Sequence, residues 1–430
     1  MVYTVPYSRE TLTFELPKGM TGTLVESKRV PPIEDVEKAV ADALAHPVNS
    51  PRLRELAKSG DTVCIVFTDI TRASPDYLFV PPLLVELEAA GIRDEDITLL
   101  CGIGMHRSST PEEKVAKLGQ AVVERYRVVD NEPQNPEALV DLGVTESGIP
   151  LSVNKIAYEA DLLVATGIVE PHQYAGYSGG RKTLAVGASG EKMIAYTHGP
   201  QMVDHPGTRL GRIEGNPFHE AVTEAARRAG LKFIVNVVLD DDKRIVAVRA
   251  GETEAAFMEL VAFARSIYEV PISRQYDVAV GGVGFPKDAN LYQTSRAASY
   301  LHFAPTPVVK PGGFYILPAR CEEGAGEGVG EQRFLEKLRD AADMTSLLGE
   351  LRRTGYPPGA QRAFIMAKVM DECGVIIVGS ECPDIVRQAK MVPAADMGEA
   401  FHIVTEKLGP NLDVLIVPHA LLTLPVAQQM

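Results

Sequence analysis

Residues 62–67, 97–101 and 161–166 are short, mostly apolar runs, and loop residues follow each of them. Runs of this length and composition are buried strands, and the segments after the first two carry helical signals. Residues 77–90 place apolar side chains at helical spacing until Gly91, and Thr110-Pro111-Glu112-Glu113 is a capping box with Pro at the first helical position, opening a helix to about residue 118. Residues 233–239 and 245–249, joined through Asp240-Asp241-Asp242-Lys243, read as a hairpin, and a long helix follows over 252–270. Strands at 277–280, 314–317, 375–378 and 412–417 then alternate with helical patterns at 332–342, 360–372 and 397–408. Such alternation predicts parallel sheets. The expected fold class is α/β, with two α/β domains of mainly parallel sheets, residues 1–272 and 273–430, and an active-site cleft between them; the last residues may return to the first domain.

With 430 residues, 45% of them hydrophobic and 23% charged, the chain is an ordinary globular protein large enough for two or three cores. A formal charge of -14 argues against a nucleic-acid partner, which needs a basic patch. No run is apolar enough for a membrane span and no leader pattern precedes residue 5, so a cytoplasmic protein without a membrane partner is expected. The five cysteines are scattered without a CxxC pair and read as reduced core thiols.

The chemistry gathers after the strands. Glu170-Pro171-His172-Gln173-Tyr174-Ala175-Gly176-Tyr177-Ser178-Gly179-Gly180-Arg181-Lys182 follows the strand ending at Gly167, and His198 comes shortly after. Its glycines and proline disfavour helix and strand alike, so an irregular loop is expected to carry two imidazoles and an amine. Imidazole suits metal ligation and proton transfer, and the Lys182 amine suits either phosphate binding or a covalent link. A zinc hydrolase would want HExxH, which is absent; a His-rich metal site drawing on His205 and His219 remains open. Asp69-Ile70-Thr71-Arg72 follows the first strand, where the Arg72 fork could hold a carboxylate, or simply pair with Asp69 at the surface. Gly104-Met105-His106 follows the second. Open α/β sheets place ligands at these strand ends.

Nucleotide motifs fail. Gly281-Gly282-Val283-Gly284-Phe285-Pro286 and residues 324–330 lack the GxGxxG pattern, and Gly187-Ala188-Ser189-Gly190-Glu191-Lys192 lacks the P-loop ending. In the second half, Gln293 and Arg296 stand one helical turn apart and could share a face toward a polar ligand, or toward solvent.

Taken together, Asp69-Ile70-Thr71-Arg72, Gly104-Met105-His106, the run 170–182, His198-Gly199 and Tyr292-Gln293-x-x-Arg296 resemble the nickel-pincer lactate racemase family in order and spacing over nearly the whole chain. The resemblance implies a racemase or epimerase of small 2-hydroxy acids. Its cofactor would be nickel carried by pyridinium-3,5-bisthiocarboxylic acid mononucleotide, the nickel-pincer nucleotide. Lys182 would be the covalent attachment point and His198 the protein's nickel ligand, in a planar geometry suited to Ni(II). His106 and His172 would exchange the hydroxyl proton while hydride passes from Cα to the cofactor and back through a 2-keto acid. Arg72 would hold the substrate carboxylate, and Asp69 would orient Arg72 or touch the cofactor. Thr71, Gly167 and Glu170 join the cofactor side, and Gln293 and Arg296 the substrate side. Transient partners would be the enzymes that build the cofactor.

Two departures bear on substrate. The family's lysine is Arg296 here, and the chain has no Trp, whereas lactate-specific members place one near the stretch corresponding to residues 356–361. An arginine favours a second carboxylate or several hydroxyls, so a malate-like or sugar-acid-like substrate is expected. The rival readings are a nicotinamide-dependent 2-hydroxy acid dehydrogenase, disfavoured by the failed glycine motifs, and a cofactor-free binding or sensor protein of the same fold, which would not need all of His106, His172, Lys182 and His198.

Overall fold

The computed structural model describes residues 1–357 and 360–427. They form two compact units, one comprising Arg29–His198 and Arg212–Ser266, the other Met1–Lys28, Gly199–Gly211 and Ile267–Met430.

The first unit is built on a six-stranded sheet in the order Ile245–Gly251, Leu231–Leu239, Leu162–Ile168, Val63–Thr68, Ile97–Gly102, Arg127–Asp130. All neighbours are parallel except the hairpin of Leu231–Leu239 with Ile245–Gly251. Every residue of Val63–Thr68 and Leu162–Ile168 is buried, as their apolar composition requires. Ile65, Phe67, Leu99, Val164 and Val235 meet Phe79, Leu83 and Leu87 of the helix Asp76–Ala89 in one core. From Val63–Thr68 the chain adds Ile97–Gly102 and Arg127–Asp130 on one side, then returns to place Leu162–Ile168 on the other. The order reverses between Val63–Thr68 and Leu162–Ile168, and ligands of such sheets bind outside the strand ends at this reversal.

In the second unit a parallel sheet runs Val392–Ala394, Gly374–Val378, Val309–Pro318, Tyr276–Gly281, Asp413–Val417, Thr21–Leu24. The hairpin Val2–Tyr7/Glu10–Glu15 contributes Tyr3, Val5 and Phe14 to its core beside Phe401.

The contact units do not follow the expected 1–272/273–430 division. Met1–Lys28 belongs with the later half because Thr21–Leu24 pairs with Asp413–Val417. Gly199–Gly211 belongs there too, with Asp204 Oδ2 held 2.7 Å from Arg352 Nε and Asp204 Oδ1 held 2.6 Å from Lys368 Nζ. The tail strand Leu424–Ala427 does return to residues placed before the boundary, Glu269–Ile272, but these lie in its own unit. Pro358 and Gly359, within the stretch corresponding to the family's tryptophan, lie outside the described residues.

Candidate active site

At the sheet reversal, Asp69 follows Val63–Thr68 and His106 lies in the loop after Ile97–Gly102. Their strands are direct neighbours. Asp69 is buried, and its Oδ2 lies 2.7 Å from His106 Nδ1 while its Oδ1 accepts the Thr71 hydroxyl at 2.8 Å. Burial would raise this carboxyl, but hydrogen bonds from His106 and Thr71, with the charges of His106 and Arg72, hold it below the usual carboxylate range. Asp69 thus orients His106, while the Arg72 charge acts on the same carboxylate. Arg72 closes a turn through its backbone N–H on the Asp69 carbonyl at 3.1 Å, and it is exposed. With Nδ1–H given to the carboxylate, His106 keeps the basic lone pair on Nε2.

The run expected to be wholly irregular contains more order than its glycines and proline suggest. Pro171–His172 pairs with Gly176–Tyr177 in a two-residue ladder, and a helical turn starts at Gly180 and passes into a π-helical turn over Thr183–Gly187. The ladder needs glycine. Gly176 has φ +75°, and a Cβ there would lie 2.0 Å from the Arg212 carbonyl oxygen. Inside the tight turn, His172 Nδ1 accepts N–H bonds from Tyr174 at 3.2 Å and Ala175 at 3.1 Å. An amide can only donate, so the neutral ring carries its proton on Nε2, the reverse of His106.

The π-helical turn sits against the end of Ile97–Gly102. The Gly104 N–H donates to the Gly187 carbonyl at 2.8 Å, and a Cβ on Gly102 would come within 2.8 Å of the Thr183 carbonyl oxygen. Single π turns recur at functional sites. Gly167, expected on the cofactor side, lies inside Leu162–Ile168, where a Cβ would press on Asn236 Oδ1 at 3.0 Å and Thr183 Oγ1 at 3.1 Å. Glu170 exchanges backbone and hydroxyl bonds with Ser178, closing the base of the turn.

Lys182 ends the helical turn. Burial, then the charge of Arg72, pulls its amine down to about 7 against the opposing pull of Glu170 and Asp69. His198 caps the helix Glu191–Thr197, its Nδ1 3.0 Å from the Ile194 carbonyl and 3.1 Å from Thr197 Oγ1. Because that carbonyl takes Nδ1–H, the lone pair of the neutral ring lies on Nε2. Burial, then the charge of Lys182, pushes the ring down to about 3, so it stays neutral, as a ligand must. Tyr174 and Phe218 meet it edge-on, with centroids at 5.3 and 5.2 Å. Among the described residues no three His, Cys, Asp or Glu side chains cluster as a metal site. His205 Nδ1 instead accepts the Gly207 N–H at 3.1 Å, and His219 packs on Phe257 with its ring centroid 6.1 Å away.

Gln293 and Arg296 lie on the helix Leu291–His302 of the other unit, one turn apart as the spacing predicts. Asn290 caps that helix through the Gln293 N–H at 3.0 Å, and Arg296 Nε is buried without a hydrogen-bond partner among the described residues.

Three groups escaped the sequence reading. Asn236 is fully buried and accepts the Gly180 N–H at 2.9 Å, fixing the start of the turn that carries Lys182. Asp76 and Lys117 form a buried ion pair, Oδ2 to Nζ 2.7 Å, beneath the Asp69–Arg72 loop. In the sequence Asn236 is one residue of a strand, and Asp76 and Lys117 are ordinary members of helices. Only the assembled sheet shows what they touch.

Comparison with known proteins gives the family. Residues 7–211 match the family description "Lactate racemase N-terminal domain", and residues 273–424 match "Lactate racemase C-terminal domain". The lactate racemase of Thermoanaerobacterium thermosaccharolyticum is 32% identical over 419 residues, 96% of each chain. That of Lactiplantibacillus plantarum is 32% identical over 428 residues, 97% of this chain and 98% of the other. The T. thermosaccharolyticum apoprotein structure superposes with a TM-score of 0.87 at 30% identity, covering 100% of both chains. A Thermotoga maritima protein shares the fold at a TM-score of 0.64 and 18% identity, covering 91% of this chain and 97% of the other. With both domain types matched and such relatives along its whole length, the chain is an isomerase, a racemase belonging to the lactate racemase family.

Proposed function

We propose that the protein inverts the hydroxyl-bearing carbon of a 2-hydroxy carboxylic acid, using a nickel-pincer nucleotide held by Lys182 and His198. The observation that carries this reading is that Lys182 ends a helical turn whose start Asn236 fixes, in the same site as a histidine whose Nδ1 is tied to a backbone carbonyl; burial lowers the amine to about 7. An amine neutral near pH 7 can form a covalent link, and a neutral imidazole with its lone pair on Nε2 can ligate nickel. His198 is then the protein's donor, with the remaining donors supplied by the nucleotide.

When bound, the nucleotide supplies a hydride acceptor, which lets the substrate pass through its 2-keto acid without ionising a weakly acidic Cα–H. The protein's part is proton transfer and orientation. His106 Nε2, which carries the lone pair because Asp69 holds the ring proton on Nδ1, takes the hydroxyl proton of one enantiomer. His172, with its proton on Nε2, gives a proton to the other face. Arg72 holds the substrate carboxylate bidentately, and the charge that does so also keeps the Lys182 amine low. Thr71 steadies Asp69.

The substrate is read as malate-like or sugar-acid-like, rather than lactate. Arg296, whose Nε has no hydrogen-bond partner among the described residues, supports this, since a planar fork selects a second carboxylate or neighbouring hydroxyls. Gln293 belongs to the same helix face.

Co-production with cofactor-building enzymes should yield a covalent mass increase on Lys182 and about one nickel per chain, consistent with a single covalent attachment. Chiral chromatography over a panel of enantiopure 2-hydroxy acids then reads the substrate. A loaded protein that racemises none of them, or a wild type that never acquires the adduct, would overturn this reading.

A further inference from the structure

The Asp76–Lys117 pair lies outside the proton-transfer machinery yet touches the loop that holds Asp69 and Arg72 and the strand that leads to His172. Asp76 is fully buried at the first residue of the helix Asp76–Ala89. Its Oδ1 accepts the Thr166 hydroxyl at 2.5 Å and the Ser74 hydroxyl at 3.2 Å. Its Oδ2 accepts the Thr68 hydroxyl at 2.8 Å and faces Lys117 Nζ at 2.7 Å. Lys117 Nζ also donates to Thr68 Oγ1 at 2.8 Å, to the Ser74 carbonyl at 2.6 Å and to the Arg72 carbonyl at 3.3 Å.

These partners are not scattered. Thr68 immediately precedes Asp69, and the carbonyls of Arg72 and Ser74 lie in the loop that follows. Thr166 precedes Gly167 on the strand leading to His172 and Lys182, and its own carbonyl accepts the Thr183 hydroxyl at 2.8 Å. Lys117 stands on the helix Pro111–Leu118, which follows the His106 loop. One ion pair therefore ties together the two strand ends on either side of the sheet reversal and the segment behind His106.

Stability alone does not account for such a pair. Desolvating two charges offsets most of their attraction, and replacing both by apolar residues of similar volume is often neutral or stabilising. What a fully satisfied buried network supplies is one fixed geometry. We infer that Asp76 and Lys117 are positioning residues that hold Asp69 against His106 and set the Arg72 turn. This rests on the proton-transfer role proposed for His106.

The test is the charge-free double variant Asp76→Leu/Lys117→Met, with Thr166→Val as a milder probe that removes one hydroxyl from Asp76. Cofactor-loaded enzyme should keep its Lys182 adduct and a cooperative melt, while kcat falls about 10- to 100-fold, as a misplacement of the order of 1 Å would cause. KM should change much less. In parallel, the His106 Nδ1–H proton bonded to Asp69 should give a low-field imidazole signal in ¹⁵N-histidine spectra, assigned by its loss in His106→Gln, and the double variant should lose it. Should the double variant not fold, Thr166→Val decides by the same two readouts at smaller amplitude. Retention of the signal overturns the inference, whether or not kcat falls, because the pair would then not act through His106. If wild type racemises no 2-hydroxy acid yet the variant loses the signal, the proposed function fails and the positioning role stands.

Discussion

His106 Nδ1 lies 2.7 Å from Asp69 Oδ2, each at the end of a neighbouring parallel strand. The carboxylate fixes the tautomer that leaves Nε2 basic. In Asp69→Asn the amide can donate to Nδ1, driving the ring proton onto Nε2 where the base should be. Turnover should fall about 10²- to 10⁴-fold, the range for losing a positioned base. The Lys182 adduct and nickel content, measured by mass spectrometry and metal analysis, should be unchanged; loss of either would place Asp69 on the cofactor instead.

Attachment of the cofactor should depend on pH through Lys182. Its amine sits near 7 because of burial first and the Arg72 charge second. The neutral form reacts, so adduct formation should accelerate as pH rises from 6 to about 7.5 and level off above it. Arg72→Gln removes a repelling charge, so the amine becomes more basic and the half-maximal pH moves up. An unchanged midpoint would mean that Arg72 does not act on the amine.

Much of this organisation is legible in the sequence because it is local. The capping box at Thr110 is found with both of its reciprocal bonds, and the helix read at 397–408 is Met397–Leu408. Buried parallel strands announce themselves by being apolar on both faces, and the loops after them carry His106, His172 and Lys182. Long-range pairing is less legible. Nothing in Thr21–Leu24 says that it joins a strand almost four hundred residues later, and that pairing moves the N-terminus into the other unit. The His106 partner of Asp69 is illegible for the same reason: Arg72 is its sequence neighbour, whereas His106 reaches it only once two strands align.

Gly176→Ala should cost stability and assembly of the site together. The new Cβ would stand 2.0 Å from the Arg212 carbonyl oxygen at a φ of +75°, so both overpacking and a left-handed backbone penalise it. About 3 kcal/mol is expected from the two effects. Calorimetry should show a lowered midpoint, and because the same turn donates the Tyr174 and Ala175 N–H bonds to His172, activity should fall further than the fraction unfolded explains.

Acid should destabilise the protein earlier than its carboxylates alone would. His198 is held near 3 and His219 and His302 near 4, each chiefly by burial, against an ordinary value of 6.5. An unfolded chain therefore binds these protons first as pH falls below 6.5, and stability is lost through the window from 6.5 to about 4. Asp69 and Asp204, both lowered from 3.8, act only below that window. Each histidine contributes at most about 1.4 kcal/mol per pH unit. Thermal midpoints of the apoprotein at pH 7, 6, 5 and 4.5 should decline with increasing slope, and His198→Gln should flatten the decline by one proton's share. Equal slopes in wild type and variant would show that His198 is protonated as readily in the folded chain as in the unfolded one, and with it would go the case for a neutral metal ligand.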